Sequence, residues 1–319
     1  MTQATRPQKT PTHIQIQLLR EGIVESVHHA EAVICDSRGR VLSVAGNAET
    51  GTFMRSALKP FQALAITATG VLERFDLGDR DLAIMCSSHR GTMEQVRQVF
   101  NILWRADIEP SYLQCPAAGN EQSPLKYNCS GKHAGMLAAC QQHSWPLGTY
   151  LDRNHPVQQL ILKKLAELLS MPADEFICAR DDCGAPTYYM QLAQMASLFA
   201  KLASGNNLAM ERITRAMTSY PEMIAGRDTF DTDLMQITDG AIISKAGAEG
   251  IQCIGKVGED LGLAIKVRDG AKRAKYALAV YLLKQLGWIS PDKAETLAET
   301  YMNLSNFKRL DVVGELSLF

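Results

Sequence analysis

The chain has 319 residues, of which 46% are hydrophobic and 21% are charged, and its formal net charge is -1. This balance is typical of a globular enzyme with a sizeable core and excludes a disordered or fibrous chain. Because basic and acidic residues are interspersed and nearly cancel, nothing indicates nucleic-acid binding, and we expect a small-molecule substrate. No apolar stretch approaches the roughly 20 residues that span a bilayer, so we expect no membrane association.

The first 12 residues are polar, include two prolines and lack the apolar core of a signal peptide. We interpret residues 1–12 as a disordered tail and residues 13–319 as a single domain with two lobes. Eight cysteines in a chain without a secretion signal are expected to be reduced core residues, metal ligands or nucleophiles rather than a disulfide framework. The same reasoning predicts a cytoplasmic protein.

In chain order, the first predicted elements are strands. Residues 13–18 alternate in polarity, residues 32–35 form an apolar run, and turn residues at 36–39 precede a further strand at 41–45, which together indicate an N-terminal hairpin. Helical spacing then extends over 56–75, with Pro60 in a tolerated position near the start.

The central and C-terminal segments are predicted to be mostly helical, with strands returning near the end. A short buried strand is predicted at 82–86, and a polar loop separates it from an amphipathic helix at 93–106. Further helices are predicted at 132–143, 156–170, 189–203 and 271–286, and further strands at 251–256 and 261–267. The fold class is therefore α+β, with an antiparallel sheet built from N- and C-terminal strands and a helical lobe beside it.

Ser56 and Lys59 form an S-x-x-K arrangement. Three residues apart on a helical turn, they share a face, and a desolvated lysine can then act as a base toward the serine. Pro60 follows Lys59 and biases it away from helical angles, so the argument depends on the local geometry. The alternative is a chance tetrapeptide with no catalytic role.

Residues 128–135 open a helix with small and polar side chains, and backbone N–H groups at such a terminus suit an anionic ligand or a developing oxyanion. Cys129 and His133 lie four residues apart on one face and could bind Zn²⁺ together with Cys183. The alternative is a buried thiol and a capping histidine.

Residues 180–187 form a polar segment without periodicity, in which Asp181 and Asp182 precede Cys183. A carboxylate here could bind a substrate α-ammonium group, while Arg55 could clamp the α-carboxylate through paired hydrogen bonds. The alternative for each charged residue is exposure to solvent.

Five segments in order carry a resemblance to a known family: R-S-A-L-K-P at 55–60, C-S-S-H-R-G at 86–91, N-C-S-G-K-H-A-G at 128–135, D-D-C-G-A-P-T at 181–187 and K-A-G-A-E-G at 245–250. Together they resemble the rhizobial-type L-asparaginase family over residues 13–288. This family is distinct from the threonine-dependent bacterial asparaginases. The resemblance implies a fold similar to serine β-lactamases and glutaminases, L-asparagine as substrate, and a homodimer.

The resemblance also implies roles for individual residues. Two Ser–Lys pairs are implied, namely Ser56 with Lys59 and Ser88 with Lys266. A zinc site is implied at Cys129, Lys132 and Cys183, and substrate binding at Arg55, His133 and Asp181. Lys132 could coordinate Zn²⁺ only as the neutral amine.

Two positions depart from the family pattern. Thr92 stands where glutamate is expected after the Ser-His-x-Gly segment, and Asp182 stands where glycine is usual beside the cysteine ligand. Asp182 adds negative charge near the implied metal and removes backbone freedom.

The expected function is hydrolysis of L-asparagine to L-aspartate and ammonia. In this hypothesis Ser56 attacks the carboxamide carbon, Lys59 manages its proton, and Ser88 and Lys266 relay protons. The alternatives are a glutaminase or penicillin-interacting serine hydrolase with the same S-x-x-K chemistry, and a non-catalytic zinc-binding protein.

Overall fold

The computed structural model describes residues 13–118 and 122–318, so the predicted tail at 1–12 lies outside the described residues. The N-terminal strands are β1 (Ile14–Arg20), β2 (Ile23–Asp36), β3 (Val41–Ala45) and β4 (Gly51–Phe53). Between β1 and β2, Glu21 and Gly22 both have positive φ, at 49° and 88°. This is the backbone of a type I′ turn, whose twist matches that of the flanking strands. The hairpin predicted with turn residues at 36–39 is formed by β2 and β3, which pair antiparallel, and it is confirmed.

A mostly helical segment follows. A 3₁₀ turn at Arg55–Leu58 leads into α1 (Lys59–Thr67), α2 (Val71–Arg74), α3 (Asp79–Met85), α4 (Met93–Arg105), α5 (Ser130–Gln142) and α6 (Pro156–Leu169). After the strands β5 (Cys178–Arg180) and β6 (Pro186–Gln191) come α7 (Leu192–Ala203), α8 (Leu208–Ser219), α9 (Pro221–Ile224) and α10 (Phe230–Ile237).

The C-terminal part returns to the sheet. Its elements are β7 (Ile242–Ala246), β8 (Ile251–Lys256), β9 (Leu261–Val267), α11 (Lys272–Gln285), α12 (Pro291–Tyr301), β10 (Asn303–Ser305), β11 (Lys308–Val313) and β12 (Ser317–Leu318). No helix in the described ranges has both the length and the apolar character needed to cross a membrane.

The main sheet is antiparallel and joins strands from both ends of the chain in the order β10-β11-β1-β2-β9-β8-β7, with β3 on β2 and β12 on β3. The first half of β2 pairs with β1, whereas its second half pairs with β3 on one side and β9 on the other. This second half is buried throughout because helices cover both faces of the sheet there. A smaller sheet has the order β4-β6-β5.

Two hydrophobic cores lie on the two faces of the main sheet. One contains the residues that α1 and α3 to α8 bury, with Val33 and Ala264 of the sheet, and the other contains those of α11 and α12, with Ile34 and Ile265. Alternate residues of one strand thus enter opposite cores, as the two-residue period of a strand requires. The predicted α+β architecture, an antiparallel sheet from terminal strands with helices beside it, is confirmed.

Close packing brings α7 onto β9. A Cβ atom added at Gly262 would lie 2.0 Å from the carbonyl oxygen of Ala196 and 2.5 Å from the backbone nitrogen of Ala200. No side chain fits between these backbones, so glycine is required where helix and sheet meet.

Three predicted elements differ from the structure. The predicted strand at 82–86 is part of helix α3, which begins after Gly78, where the Asp81 carboxylate accepts the Gly78 backbone N–H at 2.9 Å. A short apolar run does not distinguish a buried strand from a buried helix, so the strand prediction was wrong. The predicted helix at 56–75 is interrupted after Thr67 by Gly70 at φ 79°, and the helix predicted at 189–203 begins only at Leu192.

Candidate active site

The S-x-x-K segment lies at the entry to α1. Lys59 is helical, with φ -57° and ψ -38°, despite the proline that follows it. Lys59 is buried, and its Nζ atom donates to the Ser88 Oγ atom at 2.9 Å, to the Ser87 carbonyl oxygen at 2.5 Å and, more weakly, to the Asn128 carbonyl oxygen at 3.5 Å. The Lys59 backbone N–H donates to the Ser56 carbonyl oxygen, but in the described part of the chain no hydrogen bond joins the Lys59 amine to the Ser56 hydroxyl. Lys59 therefore contacts the second serine rather than the first.

Ser88 follows α3 in a polar loop, where its backbone N–H donates to the Ile224 carbonyl oxygen at 2.7 Å. Its side chain meets a second lysine, because the Nζ atom of Lys245 donates to Ser88 Oγ at 2.8 Å. Lys245 lies on β7 and also donates to the Ala246 carbonyl oxygen at 3.0 Å. Two buried amines thus converge on one hydroxyl.

The prediction that Lys266 is the lysine partner of Ser88 is wrong. Lys266 lies on β9, and its Nζ atom donates to the carbonyl oxygens of Glu249 at 2.6 Å and Val267 at 2.8 Å. Both lysines belong to C-terminal strands, but β7 is the edge strand of the sheet beside Ser88 and β9 lies two strands further in. Lys245 is the first residue of the K-A-G-A-E-G motif at 245–250, and it is the candidate site residue that sequence reasoning missed.

Burial lowers the pKa of Lys245 to about 7, aided by the positive charge of Lys59 and opposed by the Asp231 carboxylate. A lysine is a useful base when its pKa lies near neutrality, because a large fraction is then the free amine. The geometry and the pKa both make Lys245 able to exchange a proton with Ser88.

Ser56 and Ser88 line the same cavity, whose volume is about 410 Å³. The residues that line this cavity also include the buried Asp231 and Lys275. The Lys275 Nζ atom donates to the carbonyl oxygens of Gly247 and Ile251 at 2.8 and 3.0 Å, which fixes the turn after Lys245. The two serines therefore face one space that can hold a small substrate.

His89 does not act on Ser88, its neighbour in sequence. Its Nε2 atom pairs with Ser130 Oγ at 2.8 Å, and its Nδ1 atom accepts the Gly91 backbone N–H at 3.0 Å. Burial lowers the pKa of His89 to about 3, so the imidazole is neutral and structural.

Thr92, one of the two positions that depart from the family pattern, caps helix α4. Its Oγ1 atom accepts the backbone N–H of Gln95 at 3.4 Å, and the Gln95 side chain accepts the Thr92 N–H at 3.2 Å. This reciprocal capping satisfies two backbone donors at the helix start. Thr92 therefore has a structural role that requires no glutamate.

The three residues implied as zinc ligands converge. The Lys132 Nζ atom donates to Cys183 Sγ at 3.1 Å, and Cys129, which directly precedes α5, lies near enough to Cys183 to be influenced electrostatically by its thiol. All three are buried. The Cys183 thiol and the positive charges of Lys59 and Lys132 hold the pKa of Cys129 well below its usual value, despite burial.

Thiolates are ligands that Zn²⁺ prefers, whereas the Lys132 amine can coordinate only when neutral. Burial would lower the pKa of Lys132, but Cys129, Cys183 and Asp181 raise it, so metal binding has to displace this proton. Among the described residues, no cluster of three or more histidine, cysteine or carboxylate side chains could hold a metal ion, so the ligand set is complete only if Lys132 is included.

His133 is turned toward Tyr150, whose hydroxyl lies 2.7 Å from its Nδ1 atom. Its buried Nε2 atom has no hydrogen-bond partner in the described ranges, so it can bind a polar group that enters the site.

Arg55 is held by two acidic residues. Its Nε atom donates to Asp181 Oδ1 at 2.6 Å and its Nη2 atom to Asp182 Oδ2 at 2.5 Å. Asp181 is buried and also lies 4.0 Å from Lys132, whereas the Asp182 side chain is 80% exposed. Burial would raise the pKa of Asp181, but the charges of Lys132 and Arg55 hold it below its usual value. The predicted substrate-binding pair, Arg55 and Asp181, thus lies directly beside the thiol cluster.

The fold is shared with solved structures of low sequence identity. Mglu in its native form matches with a TM-score of 0.50 and 13% identity, over 82% of this chain and 64% of Mglu. Mglu in its L-glutamate binding form, in the presence of 4.3M NaCl, gives a TM-score of 0.46 and 14% identity over 81% of this chain and 60% of that one. The chain therefore spans about three fifths of the length of the Mglu structures that it matches.

A β-lactamase (Mb2281c) from Mycobacterium bovis also matches, with a TM-score of 0.43 and 14% identity over 86% of this chain and 95% of the β-lactamase. No curated protein sequence matches the chain.

The candidate active site thus holds a serine hydroxyl that two buried lysine amines contact, beside an antiparallel sheet flanked by helices. The family model for L-asparaginase II matches residues 16–318, and the chain belongs to that family. The resemblance noted in the sequence is thereby confirmed.

Proposed function

We propose that this protein hydrolyses L-asparagine to L-aspartate and ammonia through an ester formed on a serine. The observation that carries the proposal is the placement of the Ser88 hydroxyl between the amines of Lys59 and Lys245, at 2.9 and 2.8 Å, in a cavity that Ser56 also lines. Membership of the L-asparaginase II family supports the choice of the amide substrate.

Ser56 is the proposed nucleophile. Ser88 Oγ is engaged by both lysine amines, accepting from Lys59 and donating to Lys245 when the latter is the free amine, whereas Ser56 Oγ has no hydrogen-bond partner in the described part of the chain and faces the cavity. A lone pair that is free can attack the carboxamide carbon. The proton of Ser56 passes to Lys59 once Lys59 has transferred one of its own through Ser88 to Lys245, whose pKa of about 7 lets it accept.

The collapse of the tetrahedral intermediate expels ammonia, which takes its proton back along the same relay. Water then attacks the aspartyl ester, and a lysine amine accepts the water proton while Ser56 regains its own. Because both steps use the same amines, a single relay serves acylation and deacylation.

The amino-acid part of the substrate is proposed to bind at Arg55, Asp181 and His133. Asp181 can bind an α-ammonium group and Arg55 an α-carboxylate. His133 offers the buried Nε2 atom that lacks a partner among the described residues. These side chains adjoin α5, the helix that also supplies Lys132.

Zn²⁺ is proposed as a cofactor held by Cys129, Lys132 and Cys183. When bound, the metal would act as a Lewis acid beside the substrate-binding residues. Its binding requires Lys132 to lose the proton that its hydrogen bond to Cys183 now uses.

A cytoplasmic homodimer is also proposed. All eight cysteines are free, which suits a reducing compartment. Light scattering coupled to size-exclusion chromatography measures the subunit number directly.

The experiment is ammonia release from L-asparagine and L-glutamine by the wild type, Ser56→Ala and Ser88→Ala, with Ser219→Ala, an exposed position at the end of α8, as the matched control. We expect release from L-asparagine that is lost in the first two variants and kept in the third. Selective release from L-glutamine would instead establish a glutaminase, and no release from either amide with Zn²⁺ bound would favour a non-catalytic protein. An electrophilic diazoketone analogue of L-asparagine followed by peptide mapping identifies the serine that carries the acyl group.

A further inference from the structure

Asp231 is a buried carboxylate on α10, only 3% exposed, that contacts the strand carrying Lys245. Its Oδ1 atom accepts hydrogen bonds from the Ser244 hydroxyl at 2.7 Å and the Gln252 amide at 2.8 Å, and its Oδ2 atom accepts the Ala246 backbone N–H at 2.8 Å. A buried carboxylate is costly unless every oxygen is paired, and here both oxygens are.

These partners surround one residue. Ser244 and Ala246 are the two neighbours of Lys245 in sequence, and β7 is the last strand of the sheet, so the outward N–H of Ala246 has no neighbouring strand to bind. Asp231 provides the missing acceptor. The Lys245 amine itself donates to the Ala246 carbonyl oxygen, so Ala246 is held at both its backbone N–H and its carbonyl oxygen.

We infer that Asp231 is a positioning residue, which fixes β7 so that the Lys245 amine reaches the Ser88 hydroxyl. This inference rests on the proposed serine and lysine chemistry and deepens it. Asp231 makes no hydrogen bond to Ser56 or Ser88 in the described part of the chain. It acts through the residues on either side of Lys245 and through its negative charge.

Burial lowers the pKa of Lys245, and the negative charge of Asp231 opposes this shift more strongly than that of Cys129. Removing the Asp231 charge should favour the free amine further and lower the pKa. The charged and titratable groups near Lys245 on the packed elements are Lys59 of α1, Cys86 after α3, Cys129 before α5, Asp231 of α10, Cys253 of β8 and Lys275 of α11.

The test compares Asp231→Asn with Asp233→Asn on the same helix, where the Asp233 carboxylate instead accepts the Tyr301 hydroxyl at 2.5 Å. For Asp231→Asn we expect kcat to fall by about 100-fold with KM little changed, because a displaced base slows the chemical step. The acid limb of the pH profile should move to lower pH by about 1, since one favourable charge is lost. Asp233→Asn should change neither quantity.

Thermal unfolding of every protein shows whether each variant is folded. A second variant keeps the inference testable if Asp231→Asn misfolds. Ser244→Ala removes one partner of Asp231 but keeps the charge, so kcat should fall by a smaller factor while the acid limb stays in place. A folded Asp231→Asn protein with wild-type kcat and an unmoved acid limb would overturn the inference.

A readout without L-asparagine separates this inference from the proposed function. The labelling rate of the active-site serines by a fluorophosphonate, followed by mass spectrometry against pH, reports the same base. If the wild type is labelled but releases no ammonia, the proposed function fails. A slowed and pH-shifted labelling in Asp231→Asn would then still support the positioning role, and equal labelling in both proteins would refute it.

Discussion

The Nζ atom of Lys245 lies 2.8 Å from the Oγ atom of Ser88, although 157 residues separate them in the chain. Ser88 follows a helix of one core, and Lys245 is on the edge strand of the main sheet. The contact therefore forms only when helices and sheet are packed together, and it gives the hydroxyl a second amine partner besides Lys59.

Lys245→Met is expected to lower kcat by about 100-fold to 10,000-fold, which is the usual contribution of a general base. Lys266→Met is the matched control, since its amine binds only the carbonyl oxygens of Glu249 and Val267 in the described part of the chain, and it should keep most of its activity. Steady-state kinetics with L-asparagine measure both variants. An inactive Lys266→Met protein alongside an active Lys245→Met protein would restore the pairing that the sequence predicted.

The dependence of kcat/KM on pH should show an acid limb near pH 7. Burial holds the pKa of Lys245 at about 7 in the folded protein, so its amine is protonated and inactive below that pH and free above it. Activity therefore rises as pH increases through about 7. His89, with a pKa of about 3, cannot produce this limb. A profile that is flat from roughly pH 6 to pH 9, a range that includes the pKa of Lys245, would contradict the assignment of Lys245 as the proton acceptor.

Asp181 and Asp182 form a natural pair of contrasting variants, because they are adjacent and both bind Arg55. Asp181→Asn removes a buried carboxylate that also lies 4.0 Å from Lys132, and we expect KM for L-asparagine to rise by about tenfold or more, as the loss of a charge-assisted contact implies. Asp182→Asn removes an exposed carboxylate that competes with the substrate for Arg55, so KM should fall or stay unchanged.

The unfolding temperature provides a second comparison, in which Asp182→Asn should stay close to the wild type. The exposed ion pair of Asp182 contributes at most about 1 kcal/mol to the free energy of unfolding, so Asp182→Asn should unfold close to the wild-type temperature. A rise in KM for Asp182→Asn, measured by initial rates, would show instead that this carboxylate assists substrate binding.

Cys183→Ser should abolish zinc binding, because it removes the thiol that accepts from Lys132 and lies near Cys129. Cys35→Ser is the control, since Cys35 is a buried thiol of the sheet with no part in the cluster. Elemental analysis of the purified proteins gives the zinc content per chain. Equal zinc in both variants would place the metal elsewhere, and no zinc in the wild type after incubation with excess metal would remove it from the proposal.

Local patterns predicted the strands β8 and β9 with the bounds that the structure has, because buried apolar runs bounded by glycine and charged residues leave little choice. They could not predict which strands are neighbours. The choice between Lys245 and Lys266 depends on that order, since it decides which strand lies beside Ser88. The short strands β10 and β12 were missed for a related reason, because strands of two or three residues are stabilised by the sheet edges that they join rather than by their own sequence.

The side chains around Cys129 and Cys183 show the same limit of prediction from local sequence. Cys129 and Lys132 are close in sequence, so their proximity follows from helix geometry, whereas the approach of Cys183 and Arg55 comes from the folding of a distant loop. Sequence spacing also favoured His133 as a metal ligand, but the phenolic hydroxyl of Tyr150 turns its ring toward another partner.

The long strand β2 has a consequence for how the protein is made. It pairs with β1, β3 and β9, and β9 ends more than 200 residues later in the chain. During synthesis the N-terminal hairpin must wait, with one edge of β2 open, until the ribosome has released residues 261–267, and non-local pairing of this kind is slow and exposed to aggregation. Nascent chains therefore have a long interval in which a chaperone can bind, and the candidate active site is complete only after Lys245 and the strands beside it have left the ribosome.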